Sequence, residues 1–167
     1  GQSVPYPNLS GLGTGTNWQD EVFQNAPIIN HNLTVNGGSE KSTYSFGSSL
    51  LTQDGIVGGN KANFKRYTTR VNFNTDLLQN LKLTTNLLYT GTERKTLAEN
   101  AIGSVLFNAL NNAPTFAVKD ANGEFTLAEG LGNEVINPLA QIENTFNKTK
   151  VDRLSGKVAL NYGFLDH

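Results

Sequence analysis

The residues that could perform acid–base, metal or phosphate chemistry are few in this chain, and their spacing suits none of these roles. Asp20 and Glu21 are adjacent carboxylates, but neighbouring side chains point apart on a helix, so they do not form a catalytic dyad; favourable charge at a helix start is the simpler role. His31 and His167 each lack a second ligand at metal-binding spacing. The segment 11–15 (GLGTG) resembles part of a phosphate loop without its Gly-Lys-Ser/Thr ending. We therefore expect no enzyme activity and no metal or cofactor site.

The composition narrows the class of protein further. The chain has 167 residues, a formal net charge of −1 and 16% charged residues, against roughly 25% in average soluble domains. This charge gives no field that would attract nucleic acid. Cysteine is absent, which excludes disulfide bonds and thiolate metal ligands. Methionine is absent too, at position 1 included, so we expect a processed product or an excerpt of a longer protein. No apolar run approaches the roughly 18 residues of a transmembrane helix.

The elements that position the side chains are strands, because apolar and polar residues alternate through much of the chain. Leu33 and Val35 alternate with Asn and Thr; beyond a short polar turn, Tyr44 and Phe46 alternate with Thr and Ser. The segment 71–89 repeats this arrangement. Period-two alternation places successive side chains on opposite faces of a sheet. The sequence therefore predicts an all-β fold of antiparallel, up-and-down strands with one apolar face and one polar face.

The pattern defines four regions. We expect residues 1–29 to form a loop and a short helix, 30–92 four strands, 93–149 a long loop with a helix, and 150–167 a fifth strand. Within these regions the sequence predicts a helix at 18–24 capped by Asn17, strands at 30–38, 43–51, 64–75, 81–92 and 150–162, a helix at 96–112 ended by Pro114, a hairpin at 118–127 and a helical turn at 138–143.

The connections between the strands alternate in length. The turns at 39–42 and 76–80 are short, whereas the connections at 53–63 and 93–149 are long. Consecutive antiparallel strands run in opposite directions, so successive connections lie at opposite ends of the sheet. The short turns therefore share one end, and the long loops share the other. Short periplasmic turns and long extracellular loops are typical of outer-membrane barrels. A soluble sandwich does not require this segregation.

Two environments are compatible with the apolar face. A soluble sandwich buries it against a second sheet, and a membrane barrel exposes it to lipid. Periodicity alone does not decide between them, but the loop asymmetry favours part of a large transmembrane barrel, with the long, partly helical loop outside the cell. On this interpretation the strand aromatics near the edges form an interfacial girdle. Ten residues of shared parity are then expected to face lipid: Leu33, Val35, Tyr44, Phe46, Val71, Phe73, Leu83, Leu87, Val158 and Leu160.

Several short motifs resemble one family of proteins. The segments 17–23 (NWQDEVF), 36–41 (NGGSEK), 53–57 (QDGIV), 64–67 (FKRY) and 137–141 (NPLAQ), with the strand 152–162, are similar to the SusC/RagA-type TonB-linked outer-membrane transporters. This ordered series spans most of residues 16–164. The resemblance implies a bacterial outer-membrane barrel of about 22 strands with an N-terminal plug. This chain would supply about five consecutive strands of it.

The resemblance also implies partners. A SusD-like surface lipoprotein would cap the extracellular mouth, TonB would act through a region absent from this chain, and the cargo would be an oligosaccharide or a peptide. The residues themselves favour neutral cargo, because Asn- and Thr-rich faces offer uncharged donors and acceptors. Phe107, Phe116 and Phe125 in the long loop either stack on sugar rings or pack inside the loop. The alternative is a soluble all-β carbohydrate-binding or adhesion module.

Overall fold

The chain folds as two compact units. The computed structural model describes residues 13–98, 101–127 and 135–164; His167 and residues 1–12 lie outside these ranges. The sheet unit comprises Ala26–Asp54, Asn63–Lys95 and Lys148–His167. The loop unit comprises Gly1–Asn25, Gly55–Ala62 and Thr96–Asn147. Segments far apart in sequence therefore build each unit.

The sheet unit is a five-stranded antiparallel sheet with strict sequential order. Its strands are β1 Ile28–Gly38, β2 Ser42–Asp54, β3 Asn63–Leu78, β4 Leu81–Lys95 and β5 Lys148–Tyr162. Each strand pairs with the next along the chain. The all-β, up-and-down fold class predicted from the alternation is thus confirmed.

Several strands extend beyond their expected ends by up to three residues; β2, β3 and β4 each end three residues later than expected. The alternation of apolar and polar residues is lost in these extensions, but the strands remain paired, because charged side chains make the cross-strand contacts there. The Glu93 carboxylate lies 2.7 Å from Nζ of Lys148 and 3.4 Å from Nζ of Lys150. β1 also begins earlier than expected, at Ile28 directly after Pro27.

Short turns close one end of the sheet. Residues 39–41 join β1 to β2, with the Ser39 N–H donating to the Ser42 carbonyl at 2.7 Å. Residues 79 and 80 join β3 to β4, next to a register shift between Asp76 and Leu78. The connections 55–62 and 96–147 leave and re-enter the sheet at the opposite end. The length asymmetry expected from the sequence is therefore present in the structure.

The described part of the loop unit contains three short helices, α1 Trp18–Val22, α2 Val105–Asn111 and α3 Pro138–Glu143, and a 3₁₀ turn at Gly59–Lys61. Its apolar core contains residues from all three of its chain segments. The members are Trp18, Val22, Leu97, Val105 and Ala109, with Val57, Ala62, Phe116, Val118, Leu139 and Ile142 packed against them. Among the described residues, no helix combines the length and the apolar character needed to cross a membrane.

The helix expected at 96–112 is wrong in its extent. α2 begins only at Val105, because Gly103 has a positive φ of 81° and Ser104 is the N-cap, its side chain accepting the Phe107 N–H at 3.2 Å. The helix ends at Asn111, before Pro114. α1 is also shorter than expected, since Phe23 is already extended. Asn17 precedes α1 without a side-chain cap bond.

Candidate functional surfaces

The strand register places all ten apolar residues singled out from the sequence on one face of the sheet. Paired residues of antiparallel strands point to the same side. One row runs from β1 to β4 through Val35, Phe46, Val71 and Leu87. The other six follow from the same register: Leu33, Tyr44, Phe73, Leu83, Val158 and Leu160.

This apolar face has no cover within the sheet unit. Leu33 and Val158 remain 60% and 68% exposed. By contrast, the buried hydrophobic residues of the described chain all lie in the loop unit. Soluble monomers rarely expose a contiguous apolar surface of more than about a few hundred Å², and the apolar side chains of this face extend across all five strands. The sheet therefore needs lipid, a second sheet or another protein against this face.

Sequence reasoning missed some members of the apolar face, among them Ile29 and Leu50. Ile29 was missed because β1 starts earlier than the alternation indicates. Leu50 was missed because Ser48 and Thr52, its neighbours on the same face, are polar and blur the pattern. His31 also lies on this face, paired with Leu50. Among the described residues, no group of three His, Cys, Asp or Glu side chains could hold a metal ion.

The opposite face of the sheet is polar. At its centre Gly47, which has no side chain, leaves a recess of about 220 Å³. The side chains around it offer hydroxyl and amide groups and one guanidinium; they are Asn32, Thr34, Ser45, Ser49, Thr68, Arg70 and Asn72. The recess can donate and accept hydrogen bonds at once, which suits a polar, solvated ligand or water.

Trp18 anchors the loop unit. Its side chain is 3% exposed, and its indole N–H donates to the Ala113 carbonyl at 3.0 Å. The same carbonyl also accepts the Phe116 N–H at 3.2 Å. Phe116, one of the rings considered for sugar stacking, packs against the core. The ring of Phe125 lies under the Lys119 ammonium, 4.8 Å from it.

Two buried asparagines connect the helices of the loop unit. Asn108 is fully buried, and its amide donates to the side-chain oxygen of Gln141 at 2.8 Å and to the Gly103 carbonyl at 3.3 Å. Asn137 caps α3 by accepting the N–H groups of Leu139 and Ala140. Its amide also donates to the Val118 carbonyl at 2.8 Å. The Asn-Pro pair at 137–138 is a helix-start signal that the sequence carried.

The hairpin expected at 118–127 is reduced to a single bridge, between Lys119 and Phe125. Oδ1 of Asp120 accepts the N–H groups of Asn122 and Glu124, each at 2.9 Å. These bonds, that from Glu124 foremost, lower the pKa of the Asp120 carboxyl below its ordinary value. Gly123 supplies the positive φ of 85° that the turn requires.

Two of the segments that carried the family resemblance, 17–23 and 137–141, lie in the loop unit. Trp18 and Val22 of the first motif are core residues. In the motif at 137–141, Asn137 caps α3 and the amide of Gln141 donates to the Gly103 carbonyl at 2.7 Å. These residues would stabilise the fold of any protein with this loop arrangement.

Comparison with known proteins agrees with the resemblance. Over 157 residues the chain is 27% identical to TonB-dependent receptor P3 of Formosa agariphila, which covers 90% of this chain and 15% of that receptor. It is 27% identical over 176 residues to TonB-dependent receptor SusC of Bacteroides thetaiotaomicron, covering 92% of this chain and 17% of SusC. No family model matches the chain.

The fold is similar to part of a solved transporter. A structure described as the RagAB peptide transporter superposes with a TM-score of 0.56 and 25% identity, over 75% of this chain and 15% of the matched one. The resemblance to the SusC/RagA-type TonB-linked outer-membrane transporters is thereby confirmed. The chain is similar to one segment of such a protein and spans about a sixth of the length of these relatives. The relatives are described as receptors and a transporter, not as enzymes.

Proposed function

We propose that this chain is a wall segment of a TonB-dependent transporter in a bacterial outer membrane. The observation that carries the proposal is the register, which gathers the ten apolar side chains on one exposed face. In a barrel this face contacts lipid, and the polar face lines the lumen. A lone five-stranded sheet with both edges open is otherwise prone to aggregation.

The dimensions of the apolar face support this proposal. On β5 it extends from Leu154 to Tyr162, which are eight residues apart and on the same face. At about 3.4 Å per residue this is roughly 27 Å along the strand. A tilt of about 40° reduces the height to roughly 21 Å, close to the apolar band of about 25 Å in known barrels.

Aromatic rings flank this band as an interfacial girdle would. Tyr67 and Tyr89 lie toward the end of the sheet that carries the long connections, and Tyr44, Phe73 and Tyr162 lie toward the short turns. Tyrosine is enriched at both membrane interfaces, because its ring is apolar and its hydroxyl is polar.

The parent transporter would import oligosaccharides or peptides together with a SusD-like surface lipoprotein. TonB would supply energy through a region of the parent outside this chain. The loop unit is the part of the chain we expect to contact the lipoprotein or the cargo, since long connections with their own core are usually functional. Its segments join the sheet at the end proposed to be extracellular.

Two neighbouring substitutions in the full-length parent test the lipid face. Val71 and Asn72 lie side by side on β3 but point to opposite faces. Val71→Arg places a charge in lipid and should lower the free energy of unfolding by about 2–4 kcal/mol. Asn72→Arg, at the same depth, points into the lumen and should cost less than about 1 kcal/mol. Urea titration of folding into phospholipid vesicles measures both.

Equal costs for the two variants would contradict the assignment of the faces. The alternative, a soluble adhesion or carbohydrate-binding module, predicts a parent that stays in solution without detergent. Fractionation of cells followed by detection of the parent in the membrane pellet or the supernatant separates these two proposals.

A further inference from the structure

Basic side chains are concentrated on the polar face of the sheet without matching carboxylates. Besides Lys82, which lies beside Asp76, the register assigns five of them to this face: Arg66, Arg70, Arg94, Arg153 and Lys157. All five are exposed. Among the described residues, none of the five forms an ion pair. On the described strands of this face the carboxylate is Asp76, which lies beside Lys82 at 3.5 Å, next to the short turns.

The carboxylates near the other end of the strands point to the opposite face. Glu93 pairs in register with Lys65 and Lys150 there. Asp152, on the same face, accepts the Tyr89 hydroxyl at 2.7 Å. That side thus carries charges of both signs, while on the polar face of the described strands Asp76 is the one carboxylate beside six basic side chains. This segregation is a property of the strand register and not of the overall composition, which is nearly neutral.

We name the five bases the basic band. Across β3, β4 and β5 they alternate in position, so that consecutive members are about 8–12 Å apart at Cα, given strand spacings of about 4.8 Å and about 3.4 Å per residue. This separation is comparable to the Debye length of about 8 Å at physiological ionic strength. Their fields therefore overlap and create a continuous positive potential over about 27 Å of strand.

The recess at Gly47 borders the basic band at Arg70. Arg70 reaches this recess, where hydroxyl and amide side chains surround it. A guanidinium offers paired donors to a carboxylate, and the neighbouring Asn, Ser and Thr groups match the donors and acceptors of peptide bonds. Of the residues on this face in the described strands, Phe64 alone is aromatic, and it lies at the end of β3. The recess therefore lacks a ring on which a sugar would stack.

We propose that the basic band selects acidic oligopeptides as the cargo of the transporter, with a carboxylate bound at Arg70. This deepens the proposed function and rests on it, since it requires the polar face to line the lumen. It also replaces the expectation of neutral cargo, which considered the Asn and Thr residues of the face without its bases.

Binding to the purified full-length parent tests the proposal. The probe is the peptide Glu-Gly-Glu-Gly-Glu-Gly with blocked ends; its counterpart carries Gln at each Glu. We expect the acidic peptide to bind at least about tenfold more tightly at low salt, and this advantage to shrink between 0.05 and 0.5 M NaCl. Arg70→Gln should reduce acidic-peptide affinity about tenfold, as expected for one hydrogen-bonded charge. Arg70→Lys should restore part of it.

Lys82→Gln is the matched control, because Lys82 lies on the same face but beside Asp76 and outside the band. It should leave the affinity unchanged. Equal affinity for the two peptides, or a larger loss in Lys82→Gln than in Arg70→Gln, overturns the proposal. Tighter binding of trigalacturonate than of the acidic peptide overturns the choice of a peptide. Loss of parental thermal stability in Arg70→Gln without loss of peptide affinity shows that another part of the parent covers the band, which also overturns it.

These outcomes differ from a failure of the proposed function. If Val71→Arg and Asn72→Arg show the expected difference while the peptides bind equally, the barrel assignment stands and the acidic cargo is wrong. If the two substitutions cost the same, the polar face is not a lumen face, and both proposals are wrong.

Discussion

Removal of the Trp18 side chain should loosen the loop unit as a whole, including segments far from Trp18 in sequence. Trp18 contributes to a core shared with Leu97, Val105 and Ala109. If these segments fold cooperatively, a cavity at Trp18 lowers the stability of all of them. If α1 merely rests on the other segments, the effect stays local.

The structure predicts different stability costs for Trp18→Ala and Trp18→Phe. Trp18→Ala removes a side chain that is 3% exposed, which typically costs about 3–5 kcal/mol. Trp18→Phe keeps most of the ring volume and loses one hydrogen bond. The Ala113 carbonyl retains the Phe116 N–H at 3.2 Å, so it is not left unsatisfied. The cost of Trp18→Phe should therefore be near that of an ordinary hydrogen bond, about 0.5–1.5 kcal/mol.

Hydrogen exchange of the full-length parent in detergent, read by mass spectrometry, measures the effect. Since about 1.4 kcal/mol corresponds to a tenfold change, amides of Val105–Asn111 should exchange at least about 100-fold faster in Trp18→Ala and roughly 2- to 13-fold faster in Trp18→Phe. Gln19→Ala, an exposed neighbour on α1, is the control and should leave exchange unchanged. Faster exchange confined to residues 13–25 would refute the cooperative core.

Two further predictions concern topology and pH. Ser39→Cys, in a short turn, should resist an impermeant thiol reagent on intact cells, whereas Asn122→Cys, in the loop unit, should react; the reverse pattern would show that the orientation is inverted. The pKa of the Asp120 carboxyl is lowered in the folded turn. Its contribution to the stability of this turn is therefore complete above about pH 4 and is lost as the pH falls through the pKa of the folded state. Corrected exchange protection at Asn122–Glu124 should thus be constant from pH 7 to about pH 4 and fall below it; equal protection in Asp120→Asn at pH 7 would contradict this.

The sequence by itself determined which side chains share a face. Alternation at period two is a local property of an extended backbone, so the parity of Val71 and Asn72 does not depend on their partners. Local signals also predicted the helical turn at 138–143 and a turn within 118–127, because capping and positive φ involve only neighbouring residues. The charge pattern of the polar face was present in the same parity, although the Asn and Thr residues drew the interpretation toward neutral cargo.

The tertiary structure alone decided which residues of neighbouring strands are paired and which loops pack together. Cross-strand register joins Val35, Phe46, Val71 and Leu87 into one row, and no local pattern fixes that alignment. The apolar spacing at 96–112 predicted one helix, yet Leu97 lies outside α2 and is still buried in the core. Burial against Trp18 and Val105 is favourable whatever the backbone conformation of Leu97. Local propensity specifies turns and caps, whereas burial is a long-range property that depends on segments distant in the chain.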